Sequence, residues 1–521
     1  MSDATITYLV LAAAVAMFAS GPVPTAVAAI AVALALWATG VLELEQALAG
    51  FGDPTVIFIA SLFVVSEGLD ATGVTAWAGQ GLIASAGEGR TRLVVLTMTL
   101  AALLTALINV NGAVAALLPV VVVMAVRLGR PPSQLLLPLA FGAHAGSLLT
   151  LTGTPVNVIV SDAAADAGAG RFAFFEFALV GVPLVLGSLA IVALLGERLL
   201  PARTARTIGR DFSGHARTLV RQYELEHSPD ALVTRHAGVA EAVIRPRSAL
   251  VGTAVFPGMV TDSGDLVVLA VRRAGEVLGP GEATLAEGDV LLLRGTWGAL
   301  DVQLEDPGVL VVDAPGLVRR QAVPLGPGAK RAIAVLVAMV LLLVTGAVPA
   351  AVAGLLAASA FVLLGLLTVE QSFRSVSWTT VVLVGGMMSL STAMVQSGAA
   401  EDLADQIVGV VADAGPYALL VALFVLTAAL GQVISNMATA LIVIPIALSA
   451  AAEMGVSAQP VLMSVAVAAA AAFLTPVATP ANLMVMGPGG YRFGDYWRLG
   501  LPMLVLFGVV AVLLVPVFWA L

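Results

Sequence analysis

The chain has 521 residues, 60% of them hydrophobic and 11% charged, with no cysteine. A soluble globule carries about 25% charged residues, and the mean hydropathy here is +1.03, so this composition suits a bilayer. A net charge of −9 excludes a broad basic surface and with it nucleic acid as a partner. The lack of cysteine excludes disulfides, thiolate chemistry and cysteine-ligated metal.

Residues 4–42, 93–126, 177–195, 332–369, 416–452 and 499–521 contain no Asp, Glu, Lys or Arg. A hydrocarbon core of ~30 Å needs about 20 such residues per helix, so the longer runs hold more than one pass. Met1–Ser20 has no basic n-region and only Asp3 as a charge, so the first helix is expected to be retained rather than cleaved. Gly50-Phe51-Gly52-Asp53 matches the GxGD string of intramembrane aspartyl proteases. That chemistry needs two carboxylates sharing a proton, and no Tyr-Asp partner lies in an apolar helix. Asp53 is better explained as an N-cap before a first-turn Pro54. Glu67 falls ~20 Å along the helix that Pro54 opens. An intramembrane carboxylate is a coupling candidate by default, although Asp70 one turn later points to a wet helix end.

The run 93–126 would be ~51 Å long as one helix, too long for one comfortable pass and too short for two. Its centre reads Asn109-Val110-Asn111-Gly112, polar and turn-prone. A hairpin that dips to mid-membrane and returns fits, provided its tip lines a cavity. His144 follows in "LAFGAHAGSLL", either a proton-linked group or a hydrogen-bonded packing residue. Thr152-Gly153-Thr154-Pro155-Val156-Asn157 then breaks the next helix. Proline removes a backbone donor and frees a carbonyl; unwound carbonyls beside Thr hydroxyls and an Asn amide can coordinate Na⁺. Half-helix N-termini at such breaks attract an anion.

The polar segment 201–330 is bounded by Pro201–Gly214 on one side and by Pro307, Pro315, Pro324 and Pro327 on the other. Arg198, Arg203, Arg206 and Arg210 precede it, and Arg319, Arg320, Lys330 and Arg331 follow. The positive-inside rule places it in the cytoplasm of a multi-pass protein of the cell (inner) membrane. Within it Glu241–Ile244, Leu266–Val271 and Asp289–Leu293 read as strands, with a hairpin turn at Ala274-Gly275.

The membrane part repeats. A shift of 325 residues brings Ser66 onto Ser391, Gly73 onto Gly398, Thr150 onto Thr475, and Thr154-Pro155-Val156-Asn157 onto Thr479-Pro480-Ala481-Asn482. With small gaps Pro119 meets Pro445, and Gly181-Val182-Pro183 meets Gly500-Leu501-Pro502. The second hairpin, 416–452, breaks at Ser435-Asn436, and the second broken helix runs through Thr475, Ala478, Thr479, Pro480 and Asn482. Arg90, Arg92, Arg127 and Arg130 bracket the first hairpin, Asp413 and Glu453 the second, so the two enter from opposite sides and the repeats are inverted. The expected fold is an all-α polytopic membrane protein with two inverted repeats, re-entrant hairpins and broken helices. Membrane regions at 1–200 and 331–521 flank a small β-rich α/β cytoplasmic domain at 201–330. Repeats with matching polar breaks indicate a transporter with its site at their interface.

This ordered set resembles the divalent-anion/sodium symporter family, in its bacterial branch with an inserted TrkA C-terminal domain, from about Gly52 onward. The insert's part of the resemblance rests on "VIRPRSALVGTAV…GDLVVLAVRRAGEVLGPGEATLAEGDVLLLRG". No GxGxxG precedes it, so the nucleotide lobe that often accompanies such a domain is missing; the domain either senses a small ligand or packs and dimerises. Family members carry Ser-Asn-Thr on each hairpin tip. Here Ser435, Asn436 and Thr439 fit while Met437 stands for the family Thr; repeat 1 has Asn109-Val110-Asn111, with Val for the middle Asn. The resemblance implies Na⁺-coupled symport of a small divalent anion, of the dicarboxylate or sulfate class, by a homodimer. Asn109, Asn111, Gly112, Ser435, Asn436 and Thr439 would hold the anion. Thr152, Gly153, Thr154, Pro155 and Asn157 would hold Na⁺, as would Thr475, Ala478, Thr479, Pro480 and Asn482. No cofactor besides the coupling ion is implied. Two rivals stay open: a Na⁺/H⁺ antiporter or anion exporter of the wider superfamily, and less favourably a channel, for which no repeated TVGYG-like filter exists. Neither a P-loop nor a zinc-protease motif is present, so an enzyme is not expected.

Overall fold

The computed structural model describes residues 2–20, 23–75, 77, 89–128, 130–203, 215–223, 232, 234, 237–279, 281–304, 306–313 and 328–521. Arg206, Arg210, Arg319, Arg320, Pro315, Pro324 and Pro327 lie outside them. The chain separates into two compact units: Met1–Gly68 with Gly81–Gly209 and Ala332–Leu521, and Leu69–Gln80 with Arg210–Arg331.

The first unit is helical. Repeat 1 comprises α1 (Asp3–Ser20), α2 (Thr25–Ala38), the short α3 (Leu44–Ala49), α4 (Pro54–Ala71), α5 (Arg90–Leu107), α6 (Val110–Arg127), α7 (Ser133–Gly146), α8 (Pro155–Asp166) and α9 (Ala178–Leu199). Asp53 caps α4 as expected, its Oδ1 accepting from the Thr55 amide at 2.7 Å. The insert holds α10 (His215–Gln222) and α11 (Trp297–Gln303). Repeat 2 then runs α12 (Ala329–Thr345), α13 (Ala350–Leu363), α14 (Val369–Ser375), α15 (Trp378–Gln396), α16 (Ala399–Val411), α17 (Pro416–Gly431), α18 (Asn436–Glu453), α19 (Ala458–Ala470), α20 (Pro480–Gly489) and α21 (Tyr496–Val509), which continues through a π-turn to α22 (Val515–Phe518). Among the described residues, six stretches are long and apolar enough to cross a bilayer: Leu44–Ala71, Arg90–Leu107, Ala178–Leu199, Trp378–Gln396, Asn436–Glu453 and Phe493–Phe518.

The repeat seen in the sequence is a repeat of structure. Helix starts at Leu44 and Val369, at Ser133 and Ala458, and at Pro155 and Pro480 match at the 325-residue shift. Both hairpins and both broken helices are present: α5 turns into α6 at Ile108-Asn109, α17 into α18 between Gln432 and Ser435, and α7 and α19 each stop short of α8 and α20. The breaks differ in one detail. Repeat 1 makes a 3-10 turn at Leu151–Gly153, closed by the Gly153 amide on the Thr150 carbonyl, whereas repeat 2 has Pro476 at the position of Leu151 and no regular turn.

Small residues let the repeats pack closely. A Cβ on Gly181 in α9 would collide with the Leu148 carbonyl, and one on Gly500 in α21 with the Phe473 carbonyl, so each terminal helix lies directly on the backbone of its own break. The two repeats also clasp each other at their ends. Arg203, just past α9, pairs with Asp495 at 2.6 Å and donates to the Gly490 carbonyl in the connection before α21. Trp519, just past α22, donates to Glu176 in the connection before α9 at 2.8 Å.

The second unit is built on a five-stranded sheet of order β4-β3-β6-β1-β7, from β1 (Ala237–Ile244), β3 (Leu266–Arg273), β4 (Glu276–Val277), β6 (Val290–Thr296) and β7 (Val309–Val311), with β2 (Ala254–Val255) and β5 (Ala283–Thr284) as a separate pair. Alternating apolar positions such as Ala240, Ala242, Ile244, Leu291 and Leu293 join Trp297 and Leu300 in its core. Ala274 and Gly275 turn β3 into β4, both with positive φ, as a tight two-residue hairpin requires. Arg273 grips the buried Asp289 carboxylate with two bonds of 2.8 and 2.7 Å, holding it below the ordinary carboxylate range.

Candidate functional site

Four helix N-termini meet at one cavity. It is lined by Asn109, Val110 and Asn111 at the start of α6, Thr154 and Pro155 at the start of α8, Ser435, Asn436 and Met437 at the start of α18, and Thr479 and Pro480 at the start of α20. Thr152, Gly153, Ala478 and His144 complete the polar lining, with Ile59, Leu62 and Phe63 of α4 as an apolar wall. Its volume is about 110 Å³. Among the described residues, no Asp, Glu, Lys or Arg lines it.

Local chemistry explains why each terminus points there. Asn109 Oδ1 accepts from the Gly112 amide at 2.8 Å and Ser435 Oγ from the Ala438 amide at 3.3 Å, so both hairpins restart by an N-cap. Thr479 Oγ1 caps α20 by accepting from the Asn482 amide at 3.3 Å, and Pro155 and Pro480 sit at N1, where a missing N–H costs nothing. The unwound segments are stapled in the same way. Asn157 Nδ2 donates to the Ser147 and Thr150 carbonyls at 2.8 and 2.9 Å. Asn482 Nδ2 donates to the Ala472 and Thr475 carbonyls at 2.7 and 3.1 Å. Both asparagines are fully buried. Each break is also tied to its own hairpin: Thr150 Oγ1 donates to the Ala106 carbonyl at 2.7 Å, and Thr475 Oγ1 to the Gln432 carbonyl at 3.0 Å.

The staples use only the donor end of each amide. Among the described residues, Asn157 Oδ1 and Asn436 Oδ1 are buried without a hydrogen-bond partner, while the Asn482 amide has the His144 ring beside it. An amide oxygen can only accept, and leaving one buried and unpaired costs about 1–3 kcal/mol. Such atoms beside freed carbonyls suit a hard cation.

The sequence-predicted residues fall into three groups. Asn109, Asn111, Ser435, Asn436, Thr152, Gly153, Thr154, Pro155, Ala478, Thr479, Pro480 and His144 line the cavity. Gly112, Thr439, Asn157, Thr475 and Asn482 stand behind it and shape it. Glu67 is not brought to it. Ile59, Leu62 and Phe63 of α4 line the site, and Ser66 Oγ reaches Asn109 Nδ2 at 3.4 Å. His144, by contrast, is buried in the lining with Nε2 3.1 Å from Thr479 Oγ1.

Three contributors escaped sequence reasoning. Gln432 accepts from the Leu474 amide at 2.9 Å and donates to the Ala471 carbonyl at 3.1 Å; an amide side chain inside the apolar run 416–452 was its signal. Thr380 of α15 joins the lining. Thr105 on α5 is a buried hydroxyl without a partner, as Thr439 is on α18. The hydroxyl has changed arms: the counterpart of Thr105 is Gly431, which faces Thr439, and the counterpart of Thr439 is Ala113.

Two repeats of membrane-length helices, each with a hairpin and a broken helix converging on one cavity, define a membrane transporter. The citrate transporter family (CitMHS) matches residues 15–467 and 415–521, and the chain belongs to that family. It is 31% identical over 601 residues to the uncharacterized transporter YfbS of Escherichia coli, covering 97% of each chain. It is 27% identical over 310 residues to sodium/sulfate cotransporter 1 of Chlamydomonas reinhardtii, across 56% of this chain and 34% of that one. The YdaH transporter of Alcanivorax borkumensis, solved by crystallography, shares its fold with a TM-score of 0.51 at 14% identity over 98% of both chains.

Proposed function

We propose that this chain is a secondary active transporter that couples Na⁺ to the symport of a small divalent anion, of the dicarboxylate or sulfate class, by alternating access. One observation carries the reading: among the described residues no basic side chain lines the cavity, yet four helix N-termini open into it. Each brings about half a positive charge, so together they offer about two, which matches a dianion better than a neutral or cationic solute. Backbone amides, Asn amides and hydroxyls then recognise the anion in place of an arginine clamp. The unpaired amide oxygens behind the tips supply cation ligands next to it, so that each ion lowers the other's cost of leaving water. The sodium/sulfate relatives support the same pairing of ions. The insert, by resemblance a TrkA C-terminal domain on the cytoplasmic side, takes a regulatory or dimerising role.

Purified protein in proteoliposomes, offered labelled succinate, citrate and sulfate under Na⁺, K⁺ or pH gradients of equal size, tests this. Concentrative uptake of one anion driven by inward Na⁺ is the expected result. Uptake that follows only a pH gradient, or efflux of Na⁺ against H⁺ with no anion, would establish the antiport or exporter reading instead.

A further inference from the structure

We propose that a groove beside the second hairpin binds an acyl chain of an amine-headed phospholipid, whose ammonium group pairs with a rim of carboxylates. The groove encloses about 460 Å³ and shares no lining residue with the anion cavity. That volume lies within the range of small-molecule pockets, about 300–1,000 Å³. Its walls are apolar stripes at the helical i, i+4 spacing: Leu11 and Val15 of α1, Leu403 and Ile407 of α16, Ile442 and Ile446 of α18. Ala422, Leu426 and Leu430 of α17 carry it ~12 Å toward the hairpin tip. Among the described residues, Gln406 is the one polar side chain in the lining. Val410 at its mouth is 84% exposed, so the groove opens to the hydrocarbon of the bilayer.

The rim has the opposite character. Tyr8, one turn before Leu11, donates to the Ala399 carbonyl at 3.1 Å and to the Asp402 carboxylate at 3.2 Å. Asp402 stands one turn before Gln406 on α16, so this clasp joins α1 to α16 at one end of the groove. Asp405 reaches the Glu453 carboxylate at the end of α18, with Glu401 beside it. All four carboxylates belong to exposed residues, and the helices that carry them have no cation to offer: residues 1–89 and 375–491 contain no Lys, Arg or His. The counter-charge must come from outside these helices. An anionic headgroup is repelled here. A quaternary ammonium has the charge but no N–H, whereas a primary ammonium brings three donors. A second copy of the chain fits poorly, because a twofold contact sets this rim against its twin. The occupant is therefore an ethanolamine-type lipid. It braces α17 and α18, the two arms of the hairpin whose tip lines the anion cavity.

The test is a ranking of lipids. The purified, delipidated chain in detergent is titrated with dioleoyl phosphatidylethanolamine, phosphatidylcholine and phosphatidylglycerol, and bound lipid is read by native mass spectrometry. The ethanolamine lipid should bind about tenfold more tightly than the glycerol lipid, with choline between them. Asp402→Asn combined with Asp405→Asn should erase that order and keep residual binding, since an amide oxygen still accepts from Tyr8. Val410→Trp should fill the mouth and weaken all three. Equal affinities in the wild type, or an unchanged order in the double variant, overturn the proposal. Dimers that Val410→Trp splits, with no lipid retained by the wild type, overturn it in favour of a second copy. Should either variant not fold, the wild-type ranking decides.

Discussion

The two repeats agree in their backbone and disagree in their side chains, and the disagreement separates framework from chemistry. Asn157 and Asn482 staple the same pair of carbonyls at the same offset, and Gly181 and Gly500 press on equivalent carbonyls. These are the parts an unwound helix needs in order to exist in a membrane, where an unpaired carbonyl has no water to turn to. The tips, the Gln432 brace and His144 are not duplicated. Where one fold is used twice, what is shared marks what the fold requires, and what differs marks what the cargo requires.

The largest effects should come from the shared parts. Asn482→Ala leaves two buried carbonyls unpaired at about 1–3 kcal/mol each, so Na⁺-stimulated uptake should fall at least about a hundredfold with membrane insertion retained. Asn157→Ala removes the same staple and should cut uptake comparably. Gly181→Ala and Gly500→Ala each force a Cβ onto a backbone carbonyl, costing about 1–3 kcal/mol; thermal melts in detergent should show losses of similar size in both.

A change at a tip should be smaller. In Val110→Asn the new amide should shift the affinity ratio of a C4 dicarboxylate to the native anion by about tenfold, because a hydrogen-bonding site discriminates more strongly than a shape. Competition uptake with succinate, citrate and sulfate reads this, and an unchanged inhibition order would show that Val110 does not touch the anion.

The smallest effect on transport should come from the second unit. Replacing 206–304 by a short linker should leave uptake within about threefold of the intact chain, since none of the described cavity residues lies there. Within that unit, Arg273→Met leaves the buried Asp289 carboxylate without its partner. Because Arg273 is itself 43% exposed, the cost should be modest. The Arg273 guanidinium lowers the Asp289 pKa, so this stabilisation is complete above the ordinary carboxylate range. It is lost as pH falls through the folded-state value, and an acid melt of the wild type should converge on the variant there.

Much of this architecture was legible in the sequence because glycine, proline, asparagine and threonine recur at one offset in a background of alanine, valine and leucine. Backbone exceptions need particular residues, so they leave a trace. Compensation across space does not. The exchange of Thr105 and Gly431 for Ala113 and Thr439 keeps a hydroxyl in each hairpin yet moves it to the other arm, which no fixed shift detects. Glu67 was a candidate because a carboxylate in an apolar helix is conspicuous, but it does not line the cavity that Phe63, one turn earlier, does. The clasps Arg203–Asp495 and Trp519–Glu176 join residues about 300 positions apart, and nothing local in either partner announces the other.

The central claim is that the cavity holds an anion and a cation together. Linkage makes that directly measurable: anion affinity should be titrated with and without saturating Na⁺, and Na⁺ affinity with and without saturating anion, on the purified chain by calorimetry. The account predicts that each ion strengthens the other by the same factor, about tenfold or more. Anion binding that is indifferent to Na⁺ would contradict it.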